Sequence, residues 1–410
     1  MEKREPQVNR VPIGSARSFT AVETIPGDIR PYMSAMFERS TALLNEKFTG
    51  ITAAGTIVEG LFPLAPTGIS LRPVVDAANA FAASLDPAQR ASASFAVDSD
   101  VWRKWHNMHL FFFRHGAFLY DMRDAQRAAA LELVRATLSA AGFESARNVM
   151  KLNQHVAELT GRGEEYGEWY YFMSLFGEPS ETEPWGWQLD GHHLIVNCFM
   201  LGDQLVLTPH FSGSEPVVAA SGKYAGTRVF DAELAAGLAL MRSLSAEQAD
   251  RARIGMALPR ELLTIAQIDN LELAYAGIRW GDLAPAQREL LSALLEVYVG
   301  RIRPGHAEIR MDEVRAHLDE TYFAWIGPCD DSSPFYYRVQ SPVILIEFDH
   351  LPGIVYDNAE PSRAHVHTIV RTPNGNDYGR DLLRRHYAQH DHSHAHTAHR
   401  GGHALHDGVE

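Results

Sequence analysis

Leu194-Ile195-Val196-Asn197-Cys198-Phe199-Met200-Leu201, then Gly202-Asp203, then Gln204-Leu205-Val206-Leu207: this stretch decides the fold class. An apolar run of strand length, a two-residue Gly-Asp turn and a returning run read as a β-hairpin. Upstream, Trp169 to Phe176 is aromatic and strand-like. Helical periodicity recurs in the chain before it, from Tyr32 to about Phe48, from Pro73 through Leu85, over 121–141 with Gly142 as a stop, and over 143–159. After the hairpin, helices are expected at about 231–242, 246–256, 285–299 and 308–323. Strands follow at Val343 to Phe348 and His367 to Arg371, and a short helix runs through about Tyr387. No βαβ alternation occurs. The fold class is therefore α+β, a mainly antiparallel sheet with several packed helices.

The chain has 410 residues, 46% hydrophobic and 21% charged, as expected of a globular protein with a sizeable core. Three segments are expected: an extended arm over 1–30, broken by Pro6, Pro12 and Pro26; one large domain over 31–387; and a disordered tail over 388–410. From His386 onward lie eight of the twenty histidines, in a low-complexity setting. The formal net charge of -14 opposes nucleic acid and anionic membranes as partners. No apolar run reaches the roughly 18 residues of a membrane span. The first fifteen residues lack the apolar core of a secretory signal, so the cytoplasm is the expected location. Two cysteines, Cys198 and Cys329, exclude a disulfide framework. Leu85-Asp86-Pro87-Ala88-Gln89-Arg90, Leu283-Ala284-Pro285-Ala286-Gln287-Arg288 and, more loosely, Leu244-Ser245-Ala246-Glu247-Gln248 share a helix-start pattern at irregular spacing, which is no solenoid repeat.

Two stretches gather imidazoles and carboxylates on strands, where burial is costly unless they are paired or hold a metal. One is Trp185-Gly186-Trp187-Gln188-Leu189-Asp190-Gly191-His192-His193. On a strand the two histidines face opposite ways, and His193, which shares its face with Ile195 and Asn197, is chosen for the site. Asp190 is placed to orient an imidazole or act as base. Trp185, Trp187 and Gln188 are read as the wall of a substrate pocket. The other stretch is Glu347-Phe348-Asp349-His350, followed by His365-Val366-His367. Glu347 and Asp349 share a strand face, as do His365 and His367. If the two strands pair antiparallel, their polar ends meet. Two imidazoles and a carboxylate suit Zn²⁺ or the facial triad of non-haem Fe(II). Arg371 can clamp a substrate carboxylate or pair with Asp377. No phosphate-binding or dinucleotide-binding glycine motif is present, so no nucleotide cofactor is expected.

The run Pro184-Trp185-Gly186-Trp187-Gln188-Leu189-Asp190-Gly191-His192-His193-Leu194 also resembles the DUF3500 family, as do Phe176 to Ser180, Thr208 to Phe211, Leu345 to Asp349 and His365 to Thr368 with Arg371. The resemblance spans about residues 35 to 387. It implies no particular reaction. Relatives differ at the position of His350, which leaves Glu347, His365 and His367 as the expected ligands there.

The reading is thus a metal-dependent enzyme, hydrolytic first, acting on a small organic molecule. His193, His365, His367 and Glu347 would hold a divalent ion, with Asp190, Asp349 or Glu347 in catalysis. The alternatives are a non-haem metal oxygenase, a metal-free acid–base lyase, isomerase or cyclase, and a non-enzymatic binding protein for metal or ligand.

Overall fold

The Leu194–Leu201 hairpin forms with Leu201 opposite Gln204, inside one continuous sheet of thirteen strands. The computed structural model describes residues 7–18 and 24–389. Helix α1 (Arg30–Leu44) precedes α2 (Arg72–Ser84), α3 (Pro87–Ala93), β1 (Ser94–Phe95), β2 (Ala117–Phe118), α4 (Asp124–Thr137) and α5 (Ala140–Thr160). Then come β3 (Tyr171–Phe176), β4 (Trp185–Gly191), β5 (Leu194–Leu201), β6 (Gln204–Val206) and β7 (His210–Ser214). A second series follows: α6 (Asp231–Ser243), α7 (Ala246–Ala252), β8 (Arg253–Gly255), β9 (Ile278–Arg279), α8 (Pro285–Val299), α9 (His306–Ala316), β10 (Tyr322–Ile326), β11 (Tyr336–Gln340), β12 (Leu345–His350) and β13 (Val366–Arg371), closed by α10 (Arg380–Gln389). The architecture is α+β and the sheet is mostly antiparallel.

The two series are one plan used twice. The sheet order β1-β3-β4-β5-β7-β13-β12-β11-β10-β8 mirrors itself about the β7–β13 pair. The outer pairs β1–β3 and β8–β10 are both parallel. Register agrees as well: Trp187 opposite Cys198 in the first half answers to Tyr337 opposite Phe348 in the second. His210 pairs with Val370 across the centre. The shared helix-start pattern is part of this duplication. Gln89 and Gln248 close capping boxes at α3 and α7, and Gln126 and Gln287 each accept from a backbone N–H just before α4 and α8. Gln126 Nε2 then reaches Gln89 Oε1 and Ser84 O, while Gln287 Nε2 reaches Gln248 Oε1 and Ser243 O. In the sequence only the recurring helix-start pattern hints at this, because a buried amide pair needs only one residue in each helix.

Several boundaries differ from expectation. Gly142 does not stop a helix. Leu138 ends α4, Ser139 caps α5 by accepting from Gly142 N–H, and a Cβ at Gly142 would stand 2.3 Å from Arg301 O. The expected helix over 308–323 ends at Ala316, and Tyr322 opens β10, while β11 lies where no element is expected. Of the N-terminal arm, Asn9, Ile13 and Ala16 bond by their N–H groups to Val355 O, Glu165 and Glu164 O. His386 lies in α10, and the rest of the histidine tail lies outside the described residues. No helix among the described residues is long and apolar enough to cross a membrane.

The sheet has two unlike faces. Trp187, Leu189, Val196, Cys198, Tyr337, Ile346 and Phe348 belong to the main apolar core. Alternation sends Gln188, Asp190, Asn197, Arg338, Glu347, Asp349, His367 and Arg371 to the other side, where all are buried. Loop residues including Trp102, Trp105, Leu262 and Ala266 cover that side, packed on Ile195, Phe211 and Ile369. So many buried polar groups need partners, and one that finds none calls for an explanation.

Candidate metal centre

β4 and β5 are joined through only two residues, His192 and His193, between the paired Gly191 and Leu194. His193 takes φ +61°, a left-handed conformation that costs a side-chain-bearing residue about 1–2 kcal/mol. Its backbone is held there: the N–H donates to Asn107 O at 3.2 Å and the C=O accepts from Gly213 N–H at 2.7 Å. Because the pair forms a turn and not a strand, the two rings do not diverge as expected. They stack with centroids 3.9 Å apart.

β12 and β13 do pair antiparallel, which sets Asp349 opposite His367. On its other edge β13 pairs with β7, setting Gly213 opposite His367. Gly213 in turn bonds to His193, so Asp349, His367, Gly213 and His193 form a row across the sheet. The glycine is needed for contact: a Cβ there would lie 2.7 Å from His367 Cδ2 and 3.0 Å from His193 Cδ2. His365 adds a third imidazole. One ligating nitrogen from each of His193, His365 and His367 lies within 4.8 Å of the others, and all three residues are buried.

The far side of each ring is engaged. His365 Nδ1–H donates to Pro352 O at 2.7 Å, with Glu215 Oε2 3.6 Å away. His367 Nδ1–H donates to Glu261 at 2.8 Å. Such partners select the tautomer whose Nε2 is a bare lone pair. The two Nε2 atoms face each other at 3.1 Å. Burial, reinforced by neighbouring histidines, lowers the basicity of His193 and His365. Behind His193, His192 Nδ1–H donates to Asn153 at 2.7 Å, and His109 donates to Glu165 at 3.0 Å. Glu215 is locked by the backbone N–H groups of Ile354, Val355 and Tyr356.

The other expected site residues fall in different places. Glu347 does not join the three histidines. Its carboxylate accepts from Leu263 N–H, Thr264 N–H, the Thr264 hydroxyl and the Tyr336 hydroxyl, so its lone pairs are spent. Asp349 is the opposite case: it is fully buried and neither carboxyl oxygen has a hydrogen-bond partner among the described residues. Burial, then Glu261 and Glu347, push its pKa far up. Asp190 accepts weakly from His106 N–H, and burial raises its pKa too. Trp185 and Trp187 do not line a pocket beside the histidines. They sit on the opposite sheet face, in the apolar core, with indole N–H groups on Ser180 O and Thr137 Oγ1. Gln188 is consumed by Trp102 O, Asn197 and His115. Arg371 is no substrate clamp. Wholly buried, it pairs with Asp269 and Asp377 and donates to the carbonyls of Thr264, Ile265 and Ile268.

Two residues of the centre carry no sequence signal. Glu261 and Glu215 lie in irregular segments far along the chain from His365 and His367, and only the fold brings them near. Glu261 also stands in the wall of a cleft of about 500 Å³ between α1 and the segment 259–268.

The centre does not obey the internal duplication. The positions that answer to Asp349 and His193 in the other half are Phe199 and Val343, so one side of the sheet is polar here and its counterpart apolar. No curated protein and no solved structure matches the chain. The family model DUF3500, described as a protein of unknown function, matches residues 67–380, a span that contains all three histidines, and the chain belongs to that family.

Proposed function

We propose that this protein is a metal-dependent hydrolase of a small organic molecule, with His193, His365 and His367 holding a divalent ion. The observation that carries the reading is the 3.1 Å approach of the His365 and His367 Nε2 atoms while both Nδ1 atoms point at acceptors. With each Nδ1 turned to an acceptor, the two Nε2 atoms are left facing each other, an arrangement that a cation between them relieves. Three imidazoles are one donor set of catalytic zinc sites, which leave a fourth position open. The commitment of Glu347 to four other donors supports zinc over an iron site of two histidines and a carboxylate.

When bound, such an ion supplies a water acidic enough to ionise near neutral pH. The chain's own residues do the rest. Glu261 and Pro352 O fix the two imidazole tautomers. Asp349, next to His367 and without other partners, accepts or returns a proton at its free carboxyl oxygens. The cleft beside Glu261 admits the substrate.

The test is elemental analysis of the full chain, purified without a metal-affinity step and dialysed against a weak chelator, beside His367→Ala and His193→Ala. The expected result is one more equivalent of zinc in the wild type than in either variant. Equal metal content in folded proteins would overturn the reading and favour an imidazolium–imidazole hydrogen bond in a metal-free acid–base site.

A further inference from the structure

The cleft that leads to Glu261 has a chemical character of its own. Its floor and roof are apolar, with Met36 from α1 and Leu262 and Ile265 from the opposite segment. Among its polar side chains are two guanidiniums, Arg39 from α1 and Arg260 from the segment that carries Glu261. Both are exposed. Neither has an ion-pair or hydrogen-bond partner among the described residues. Some surface arginines are paired with carboxylates, as at Arg72, Arg228 and Arg384. In a chain of formal net charge -14, two unneutralised guanidiniums facing one cleft form a local positive field, which draws anions in and is screened by salt. The one carboxylate in the wall, Glu261, has its charge turned to His367.

We infer that the substrate is a small carboxylate with an apolar body, its anionic end held by Arg39 and Arg260. This rests on the hydrolase reading for the meaning of "substrate". The anion site itself is separate from the metal and can fail or stand alone. Planar guanidiniums match carboxylates in a two-pronged geometry, and the apolar walls at this volume suit a compact hydrocarbon portion.

The probes are phenylacetate and phenylacetamide, equal in size and different in charge, titrated calorimetrically into the full-length protein, its Arg39→Gln/Arg260→Gln variant and its His367→Ala variant. Two exposed pairs predict about tenfold tighter binding of the acid. That preference should vanish in the double arginine variant, shrink at high salt and survive in His367→Ala. No measurable acid binding, equal binding of acid and amide, or an unchanged preference in the arginine variant overturns the inference. A preference lost in His367→Ala but kept in the arginine variant also overturns it, since the anion then sits on the histidine-bound ion and the metal reading survives. Metal analysis of the same samples reports on that reading independently.

Discussion

Asp349 lies directly opposite His367 on neighbouring antiparallel strands, and while the imidazole is anchored by Glu261, neither oxygen of the carboxyl is bonded to anything among the described residues. A buried polar group left in that state lowers stability, by about 1–3 kcal/mol for each. Asp349→Leu should therefore raise the melting temperature. Asp349→Asn should keep the bound metal while turnover of any hydrolysed ester or amide falls by about 100-fold or more. A lower melting temperature for the leucine variant would show that Asp349 has a partner.

Glu261 touches the centre only through His367 Nδ1. Its loss should leave the fold intact, because its side chain is about one-third exposed. Glu261→Gln should weaken zinc affinity by about 10–100-fold, measured by competition with a chromophoric chelator. Unchanged affinity would remove Glu261 from the centre.

Gly213→Ala puts a methyl group against both His367 and His193. The rings must shift, and overpacking costs about 1–3 kcal/mol. The variant should lose metal more completely than it loses stability. Full metal retention would mean the row across the sheet is looser than the geometry shows.

Arg371→Met tests the assignment of Arg371 to the core. It strands Asp377 without its cation and leaves Asp269 with Arg103 alone, and breaking a buried pair in this way costs about 3–5 kcal/mol. Denaturant unfolding should show that loss with binding of phenylacetate unaffected in the protein that remains folded. A weakened ligand with unchanged stability would restore the clamp.

Acid sensitivity should centre on Glu165. Burial alone would raise its pKa, but hydrogen bonds from His109 and Arg162 outweigh this and hold it at about 2 against an ordinary 4.5. The folded state thus favours the charged form. Its stabilisation is complete above about pH 4.5 and is lost as pH falls toward 2. Ile13 N–H also bonds to this carboxylate, so the N-terminal arm should loosen in the same window. Glu165→Gln should be less stable at neutral pH and flatter in its acid response, as read by unfolding at several pH values.

How much of this was legible in the residues follows from the range of each signal. The alternation of Leu345, Glu347 and Asp349, and the spacing of His365 and His367, placed side chains on faces correctly, because a strand's period is local. The same rule misread His192 and His193, which occupy a turn where alternation stops. Glu347 resembled a ligand because its four donors come from Leu263, Thr264 and Tyr336, and the first two belong to a distant segment with no pattern. Trp185 and Trp187 were drawn to the site by proximity in sequence, although the alternation that puts Gln188 and Asp190 on one face puts the tryptophans on the other. The mirrored halves stayed hidden since their likeness resides in ladders and capping glutamines more than in repeated words.

That mirrored plan has a consequence for how the protein can be taken apart. His193 comes from the first half and His365 and His367 from the second, and the halves meet along the ladder that joins β7 to β13. A cut between Ser214 and Asp231 would give each fragment its own helices and one bare sheet edge, and those edges are complementary to each other. The fragments are then a split protein whose reassembly rebuilds the three-histidine cluster, so ion capture reports that the two pieces have found one another.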